Sequence, residues 1–339
     1  MTDEKRLHIK NLTVKIMTEK GVGEAVRGLN LDLRPGEIRG IVGESGCGKS
    51  VTAKSILKLH DNEHTEYSGE VIYKGKNILD LSEKEMRGIR GNDIAYIFQH
   101  SMSAFDNLFT VGQQICEMIR LHTGCNKQEA WEKCISLLDA VGVTPAEKRA
   151  KQYPYEFSGG MLQRAMIAMM ISADPEILIA DEATTALDVT MQARVLEILK
   201  KIRDEKNISI LCITHNFGVV AEICDSVTVM FGGFVVECGL VDEIFHKPLH
   251  PYTEHLINNL KKGYEVNKDD NIESLPKAQG KPYDITEKRV GCVYQDRCKY
   301  ATDLCRRQAP PVLGDYEGHG YVCNYTPEER EAMLLNKQA

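Results

Sequence analysis

The apolar residues of the chain follow patterns that predict alternating strands and helices. Short segments with buried apolar positions predict strands at 37–42, 177–180 and 208–213. The run at 177–180 is continuous and ends in acids, which fits a central parallel strand buried on both faces. Residues 7–16 alternate between apolar and polar and predict one more strand.

Other segments have the spacing of helices and hairpins. Apolar residues three or four positions apart predict helices at 50–59 and around 196–202, and most of 105–170 has a helical pattern. Turn residues between short apolar runs predict hairpins at 71–76 and 227–237. Together these elements predict an α/β fold with a parallel core and smaller antiparallel parts.

A glycine-rich loop stands between the strand at 37–42 and the helix at 50–59. It matches the phosphate-loop pattern G-x4-G-K-[ST], in which glycines let backbone N–H groups turn toward phosphate oxygens. Lys49 is expected to reach the β and γ phosphates, and the Ser50 hydroxyl is expected to ligate magnesium. We therefore expect ATP and Mg²⁺ at this loop. The predicted nucleotide-binding residues here are Gly43, Glu44, Ser45, Gly46, Cys47, Gly48, Lys49, Ser50 and Val51.

An acidic pair follows the buried strand at 177–180. Asp181 is predicted at the carboxyl end of a parallel strand, where ligands bind in such sheets. A carboxylate there suits the magnesium shell of a phosphate-loop enzyme, and Glu182 beside it suits polarising the attacking water.

Several further segments, together with the loop, resemble the ATP-binding cassette of ABC transporters. Gln99 resembles the glutamine that contacts magnesium and senses the membrane subunit, and His215 resembles the switch histidine that contacts the γ-phosphate. The segment 158–164 resembles the signature that binds the γ-phosphate of the opposite subunit's ATP, and 186–188 resembles the D-loop. The resemblance implies catalytic roles for Lys49, Gln99, Glu182 and His215, and nucleotide contacts by Ser158, Gly159, Gly160, Gln163 and Asp188.

The chain departs from the family pattern at three places. No aromatic residue that could stack on adenine stands near 20–22. Asn216 follows the switch histidine where aspartate is common, and Met161-Leu162 stands where glutamine is usual. Methionine at that position is frequent in the peptide-importer branch. Cys47, inside the loop, would be prone to oxidation if its pKa is low.

Beyond the cassette, predicted at 1–245 with a helical subdomain at about 100–172, lies a C-terminal extension, residues 246–339. Its His246 to Thr253 stretch resembles the His-Pro-Tyr region of dipeptide and oligopeptide importer ATPases, a branch that also includes nickel importers. The polar stretch 261–281 is predicted to be a linker.

Four cysteines with spacing C-x5-C-x6-C-x17-C mark the end of the extension: Cys292, Cys298, Cys305 and Cys323. Four thiolates suit zinc or an iron–sulfur cluster, and the absence of C-x2-C pairs favours the larger cluster. Packing as ordinary small apolar residues is the alternative. We expect Arg289, Arg297, Lys299, Arg306 and Arg307 to offset an anionic centre. The importer resemblance implies a 4Fe-4S cluster.

Composition agrees with the implied role. The net charge of −7 disfavours nonspecific nucleic-acid binding, and no stretch of about 18 apolar residues predicts a membrane span. The resemblance implies a subunit at the cytoplasmic face of the membrane. Its implied partners are a second, different cassette chain, two membrane-spanning permeases and an extracellular or periplasmic substrate-binding protein. Nickel is the alternative substrate. Soluble cassettes of DNA repair or translation are disfavoured, since only 130 residues separate Ser50 from Asp181 and one cassette is present.

Overall fold

The structure, a computed structural model, describes residues 5–185, 187–266, 283–287, 290–314 and 318–338. The described strands are β1 (Leu7–Thr18), β2 (Gly21–Leu33), β3 (Ile38–Val42), β4 (Thr65–Tyr73), β5 (Lys76–Asn77), β6 (Ile94–Ile97), β7 (Ile177–Asp181), β8 (Ser209–Thr214), β9 (Ser226–Phe231), β10 (Phe234–Leu240), β11 (Val312–Gly314) and β12 (Gly320–Val322). The described helices are α1 (Lys49–Ile56), α2 (Glu83–Ile89), α3 (Val111–Thr123), α4 (Lys127–Ala140), α5 (Ala146–Ala150), α6 (Gly159–Met170), α7 (Val189–Lys206), α8 (Phe217–Ile223), α9 (Val241–His246), α10 (Pro251–Val266), α11 (Asp303–Arg307) and α12 (Pro327–Gln338).

The chain forms two compact units, each assembled from separate stretches of sequence. The first unit holds residues 1–7, 33–39 and 73–214, and the second unit holds residues 8–32, 40–72 and 215–339.

Three parallel strands form the centre of the first unit. β6 pairs with β7, and β7 pairs with β8, so that Ile97 lies opposite Ala180 and Asp181 lies opposite Ile213. All residues of these strands are buried, as continuous apolar runs in a covered parallel sheet require. Because the strands are parallel, their carboxyl ends lie at one edge, which places Asp181 there.

Helices make up most of the remainder of the first unit. α3 contacts α4, and α6 contacts both of them. Capping boxes start α3 at Thr110 and α4 at Asn126, each satisfying backbone N–H groups that the first turn leaves unpaired. This region is the helical part that the sequence pattern predicts at 105–170.

The second unit contains antiparallel strands. β12 pairs with β11 on one side and β10 on the other, and β10 pairs with β9. The β9–β10 hairpin is the one predicted at 227–237, with a register shift between Val235 and Glu237. In β1, Ile9, Leu12 and Val14 are fully buried, so the predicted alternation is confirmed.

The C-terminal extension packs into a hydrophobic core of the second unit. Tyr252, Leu256 and Ile257 of α10 lie in this core, together with Tyr294 from the cysteine segment. Their partners come from the strands and α8, and include Val42, Phe217, Val220, Val227, Val229, Phe231 and Val236. Burial of large aromatic side chains such as these contributes strongly to stability, so the extension stabilises the unit that carries it.

Most predicted elements are present with small shifts. The strands expected at 37–42, 177–180 and 208–213 are β3, β7 and β8, and the helix expected at 50–59 is α1, which ends at Ile56. One expectation is wrong in part: the stretch 261–281 begins as helix, because α10 continues to Val266. Residues 267–281 lie outside the described residues.

A buried polar network joins β10 to the start of α10. The Glu237 carboxylate is fully buried and accepts hydrogen bonds from the backbone N–H groups of Leu249 and His250, at 2.7 and 2.8 Å. His250 Nδ1 in turn accepts the backbone N–H of Tyr252 at 3.0 Å, which requires a neutral ring. Burial, with a smaller effect from the charge of Arg330, lowers the pKa of His250 to about 3.

The low pKa of His250 predicts a loss of stability in mild acid. The unfolded chain binds a proton at His250 below about pH 6.5, whereas the folded chain does not until about pH 3, so stability rises with pH across this window. Substitution His250→Asn keeps an acceptor for the Tyr252 N–H but does not titrate. Between pH 7 and pH 5, the wild type should lose about 2 kcal/mol more unfolding free energy than this variant. Urea unfolding at pH 5, 6 and 7 measures the difference, and parallel pH dependences would contradict the prediction.

Candidate functional site

The glycine loop after β3 has a backbone that only glycine tolerates at two points. Gly43 and Gly48 have φ values of +152° and +107°. A Cβ on Gly43 would lie 2.2 Å from the Met230 carbonyl oxygen, and one on Gly48 would lie 2.5 Å from that of Ala25. The loop therefore packs closely against neighbouring backbone on its inner side. Ser45 is exposed at the tip.

Lys49 begins α1 and is only 5% exposed. Its Nζ donates hydrogen bonds to the carbonyl oxygens of Gly43 and Glu44, at 2.8 and 2.9 Å. Ser50 and Val51 follow in the first turn of the helix, and the backbone N–H groups at the start of a helix attract anions. The loop thus holds a buried cation and a helix N-terminus together, which is the chemistry that a phosphate group requires.

Cys47 is a buried residue of the loop. It is 5% exposed, and this burial raises the pKa of the thiol, although the Lys49 charge opposes the shift. The condition under which oxidation was predicted, a low pKa, is therefore not met, because burial favours the neutral thiol.

His215 and Asn216 come directly after β8 in sequence and belong to the second unit. His215 is exposed. Asn216 is the N-cap of α8, where its side chain accepts the backbone N–H of Gly218 at 2.8 Å. The asparagine that departs from the family pattern therefore has a capping role of its own.

The acidic pair lies at the end of β7 in the first unit. Asp181 is 3% exposed, and the Tyr96 hydroxyl donates to its Oδ2 at 2.7 Å. Glu182 has a positive φ of 50°, and its Oε2 accepts from Gln99 Nε2 at 2.8 Å and from the Thr185 hydroxyl at 3.2 Å. Gln99 and Glu182, which were chosen from separate parts of the sequence, are thus in direct contact.

Tyr96 is a site residue that the sequence patterns did not single out. Burial raises the pKa of its hydroxyl, and the neighbouring Asp181 charge raises it further, so Tyr96 remains a hydrogen-bond donor. The sequence signal that could have identified Tyr96 is its hydroxyl within the apolar run Ile94–Ile97, because a buried tyrosine hydroxyl usually has a hydrogen-bond partner.

The signature and D-loop residues lie at two helix starts. Ser158 caps α6 and accepts the Met161 N–H at 3.3 Å, and Asp188 caps α7 and accepts the Met191 N–H at 2.9 Å. Gly159 opens α6, and Gly160 follows it. Gln163 is 4% exposed, while Ala186 lies outside the described residues.

The four cysteines of the extension line one cavity, which we call the cysteine cavity. Cys292, Cys298, Cys305 and Cys323 surround it together with aromatic residues, and all four are free thiols. Burial raises the pKa of Cys292 to about 12 and that of Cys298 to about 11. Within the described parts of the chain, no three His, Cys, Asp or Glu side chains are arranged to hold a metal ion. The arrangement therefore gives no support to a single metal ion bound by three or more of these side chains.

Two of the basic residues expected to offset an anionic centre at the cysteines are paired with carboxylates. Arg297 pairs with Glu44 and Lys299 pairs with Glu254, because these carboxylates lie within hydrogen-bond reach. Arg289 lies outside the described residues. Burial raises the pKa of Cys298 and Cys323, and the charge of Arg330 of α12 opposes this shift; the sequence did not predict this effect of Arg330.

Comparison with known proteins assigns both parts of the chain. The sequence model of the ABC transporter family matches residues 26–185, and that of the oligopeptide/dipeptide transporter C-terminal region matches residues 236–305. A probable peptide ABC transporter ATP-binding protein of Sinorhizobium fredii is 43% identical over 94% of both chains. A dipeptide transport ATP-binding protein of Bacillus subtilis is 41% identical over 99% of both chains.

Solved structures agree with this assignment. A dimeric ATP-binding cassette in a post-hydrolysis state with ADP and Pi has a TM-score of 0.63 at 25% identity and covers 69% of this chain and 98% of its own. A cassette from Clostridium perfringens, part of an ABC transporter complex, shares the fold with a TM-score of 0.62 over 78% of this chain and 96% of its own. No described helix is long and apolar enough to cross a membrane. The chain therefore belongs to the ABC transporter family, as an ATP-hydrolysing cassette that carries the oligopeptide/dipeptide transporter C-terminal region.

Proposed function

We propose that this chain hydrolyses ATP to energise the import of dipeptides or oligopeptides. The observation that carries the proposal is the full-length similarity to a dipeptide transport ATP-binding protein of Bacillus subtilis, which extends through the C-terminal extension. The relatives named above handle peptides, and this favours peptides over nickel as the transported solute.

The phosphate loop supplies the binding half of the proposed chemistry. Backbone N–H groups of the loop and of the first turn of α1 face the phosphates, with Ser50 as a magnesium ligand. Lys49 changes partners, since its Nζ exchanges the carbonyl oxygens of Gly43 and Glu44 for phosphate oxygens. No rearrangement of the backbone is required for this exchange, because a lysine side chain is long and flexible.

The acidic pair supplies the hydrolytic half. Asp181, held by the Tyr96 hydroxyl, is the proposed carboxylate of the magnesium shell. Glu182 orients the attacking water, and its hydrogen bond to Gln99 keeps the carboxylate in one position until nucleotide binds. His215 is the proposed contact for the γ-phosphate.

The proposed partners follow from the same family membership. Ser158, Gly159 and Gly160 at the start of α6 would serve the ATP of a second cassette chain, for which we propose a different subunit. Two permeases and a substrate-binding protein complete the importer, which places the chain at the cytoplasmic face of the membrane. Exposed apolar side chains after Gln99 suit docking to a permease: Met102 is 51% exposed, Leu108 79% and Phe109 51%.

Substitutions at Lys49 and Glu182 separate binding from hydrolysis. Lys49→Ala should lower ATP affinity by about a hundredfold, since it removes the cation that meets the phosphates. Glu182→Gln should bind ATP normally but lower turnover by about a hundredfold or more, because it loses the charge that orients water. Binding is measured by fluorescence titration with Mg-ATP, and turnover by phosphate release. Lys201→Ala on the exposed part of α7 is the matched control. Normal turnover in Glu182→Gln would contradict its assigned role.

We also propose that the cysteine cavity receives a 4Fe-4S cluster. Four sulfur atoms around one cavity suit a cluster, because the ligands of a cluster need not converge on one point as the ligands of a single metal ion do. The Thr302 hydroxyl and the Asn324 amide lie 3.7 and 3.6 Å from Cys305 Sγ and would stabilise a thiolate ligand. When bound, the cluster would supply a redox-active centre and would brace the extension.

The cluster proposal predicts colour and iron. Protein purified without oxygen should absorb broadly near about 400 nm and contain about four irons per chain. Cys298→Ser should remove most of the iron and expose the segment beyond Tyr283 to protease, whereas Cys125→Ser, outside the cavity, should change neither. One zinc per chain would favour a zinc site over the cluster. Protein that contains no metal but has a protease-resistant extension would contradict both the cluster and the zinc site.

A further inference from the structure

Glu44, the second residue of the phosphate loop, is bound on every polar group by residues of three different segments. Its backbone N–H donates to the Tyr252 hydroxyl at 3.0 Å, and its carbonyl oxygen accepts from Lys49 Nζ at 2.9 Å. Its carboxylate accepts two hydrogen bonds from the Arg297 guanidinium, at 2.8 and 2.6 Å. The C-terminal extension therefore reaches the loop through Tyr252 and Arg297.

Arg297 is fixed in place by the core of the second unit. Its side chain is 9% exposed, and the guanidinium lies 5.2 Å from the ring centre of Phe231 and 5.8 Å from that of Tyr294. Both rings belong to the buried core. A planar guanidinium packed against two such rings meets a carboxylate in a bidentate pair with little loss of freedom, so the arginine is preorganised for Glu44.

The charge of Glu44 gives this pair a functional meaning. A carboxylate in a phosphate-binding loop repels the phosphates of the nucleotide, and in a partly buried position this repulsion is weakly screened. The bidentate arginine offsets the negative charge without filling the open side of the loop, where Ser45 is exposed.

We propose that Arg297 is a positioning residue for the phosphate loop, which neutralises Glu44 and, with Tyr252, holds the loop in the form that binds ATP. The proposal rests on the proposed ATP site and extends it by giving the C-terminal extension a part in nucleotide affinity. Arg297 directly precedes Cys298 of the cysteine cavity, so displacement of the cysteine segment also withdraws the arginine from Glu44.

A set of four variants tests the proposal by Mg-ATP titration and by ATPase kinetics. Arg297→Ala should weaken ATP binding about tenfold, because the carboxylate is left unpaired beside the phosphates. Glu44→Gln removes the repelling charge, so Arg297→Ala combined with Glu44→Gln should bind ATP within about threefold of Glu44→Gln alone and more tightly than Arg297→Ala. Arg297→Lys should lie between, as it keeps the charge but not the bidentate geometry. In the kinetics, KM should rise and kcat should stay within about twofold.

Lys299→Ala is the matched control, since Lys299 lies two residues away but pairs with Glu254 at 2.7 Å; it should bind ATP as the wild type does. Equal affinity in Arg297→Ala and wild type would overturn the proposal. A double variant that binds ATP no better than Arg297→Ala would also overturn the proposal, because the proposal attributes the loss of affinity to the unpaired charge of Glu44. A loss caused by misfolding would not be repaired by removing that charge. Lys49→Ala keeps the two questions apart: if it binds ATP as the wild type does, the proposed ATP site itself is wrong.

Discussion

The nucleotide site depends on the hydrogen bonds that hold the buried ammonium group of Lys49. A cation removed from water is tolerated only where other groups replace its hydration, and here the carbonyl oxygens of Gly43 and Glu44 do so. The loop that carries these carbonyls takes positive φ angles at Gly43 and Gly48. The loop is therefore preorganised around a positive charge before a phosphate arrives. Such preorganisation makes electrostatic stabilisation effective, since little rearrangement opposes it.

The C-terminal extension also stabilises the phosphate loop. Tyr252 is fully buried in the core of the second unit, yet its hydroxyl reaches the Glu44 backbone. The buried Glu237 carboxylate fixes the start of α10 through the N–H groups of Leu249 and His250. These contacts fix the helix that carries Tyr252. The packing of the extension therefore also fixes the Tyr252 hydroxyl at the phosphate loop.

Local sequence pattern predicted the elements and the chemistry that each strand end carries. The loop at 43–50 and the acids at 181 and 182 were predictable, because the loop chemistry depends on adjacent residues and the strand ends follow from apolar runs. The contact between Gln99 and Glu182 agrees with the family resemblance, and the assigned roles remain predictions.

Contacts between residues far apart in sequence were not predictable in this way. The Tyr96 bond to Asp181 and the Arg297 pair with Glu44 depend on tertiary packing, which no local period encodes. The pairing of Arg297 with Glu44 and of Lys299 with Glu254 was not predictable for the same reason, and a role of these basic residues in offsetting an anionic cysteine centre stays a prediction.

The most direct test of this account is an experimental structure of the Glu182→Gln variant with Mg-ATP. The account predicts the β and γ phosphates at the start of α1, with Lys49 Nζ moved from the carbonyl oxygens of Gly43 and Glu44 onto phosphate oxygens and the Arg297–Glu44 pair intact. Nucleotide bound elsewhere, or Lys49 still held by the two carbonyls beside bound phosphate, would contradict it.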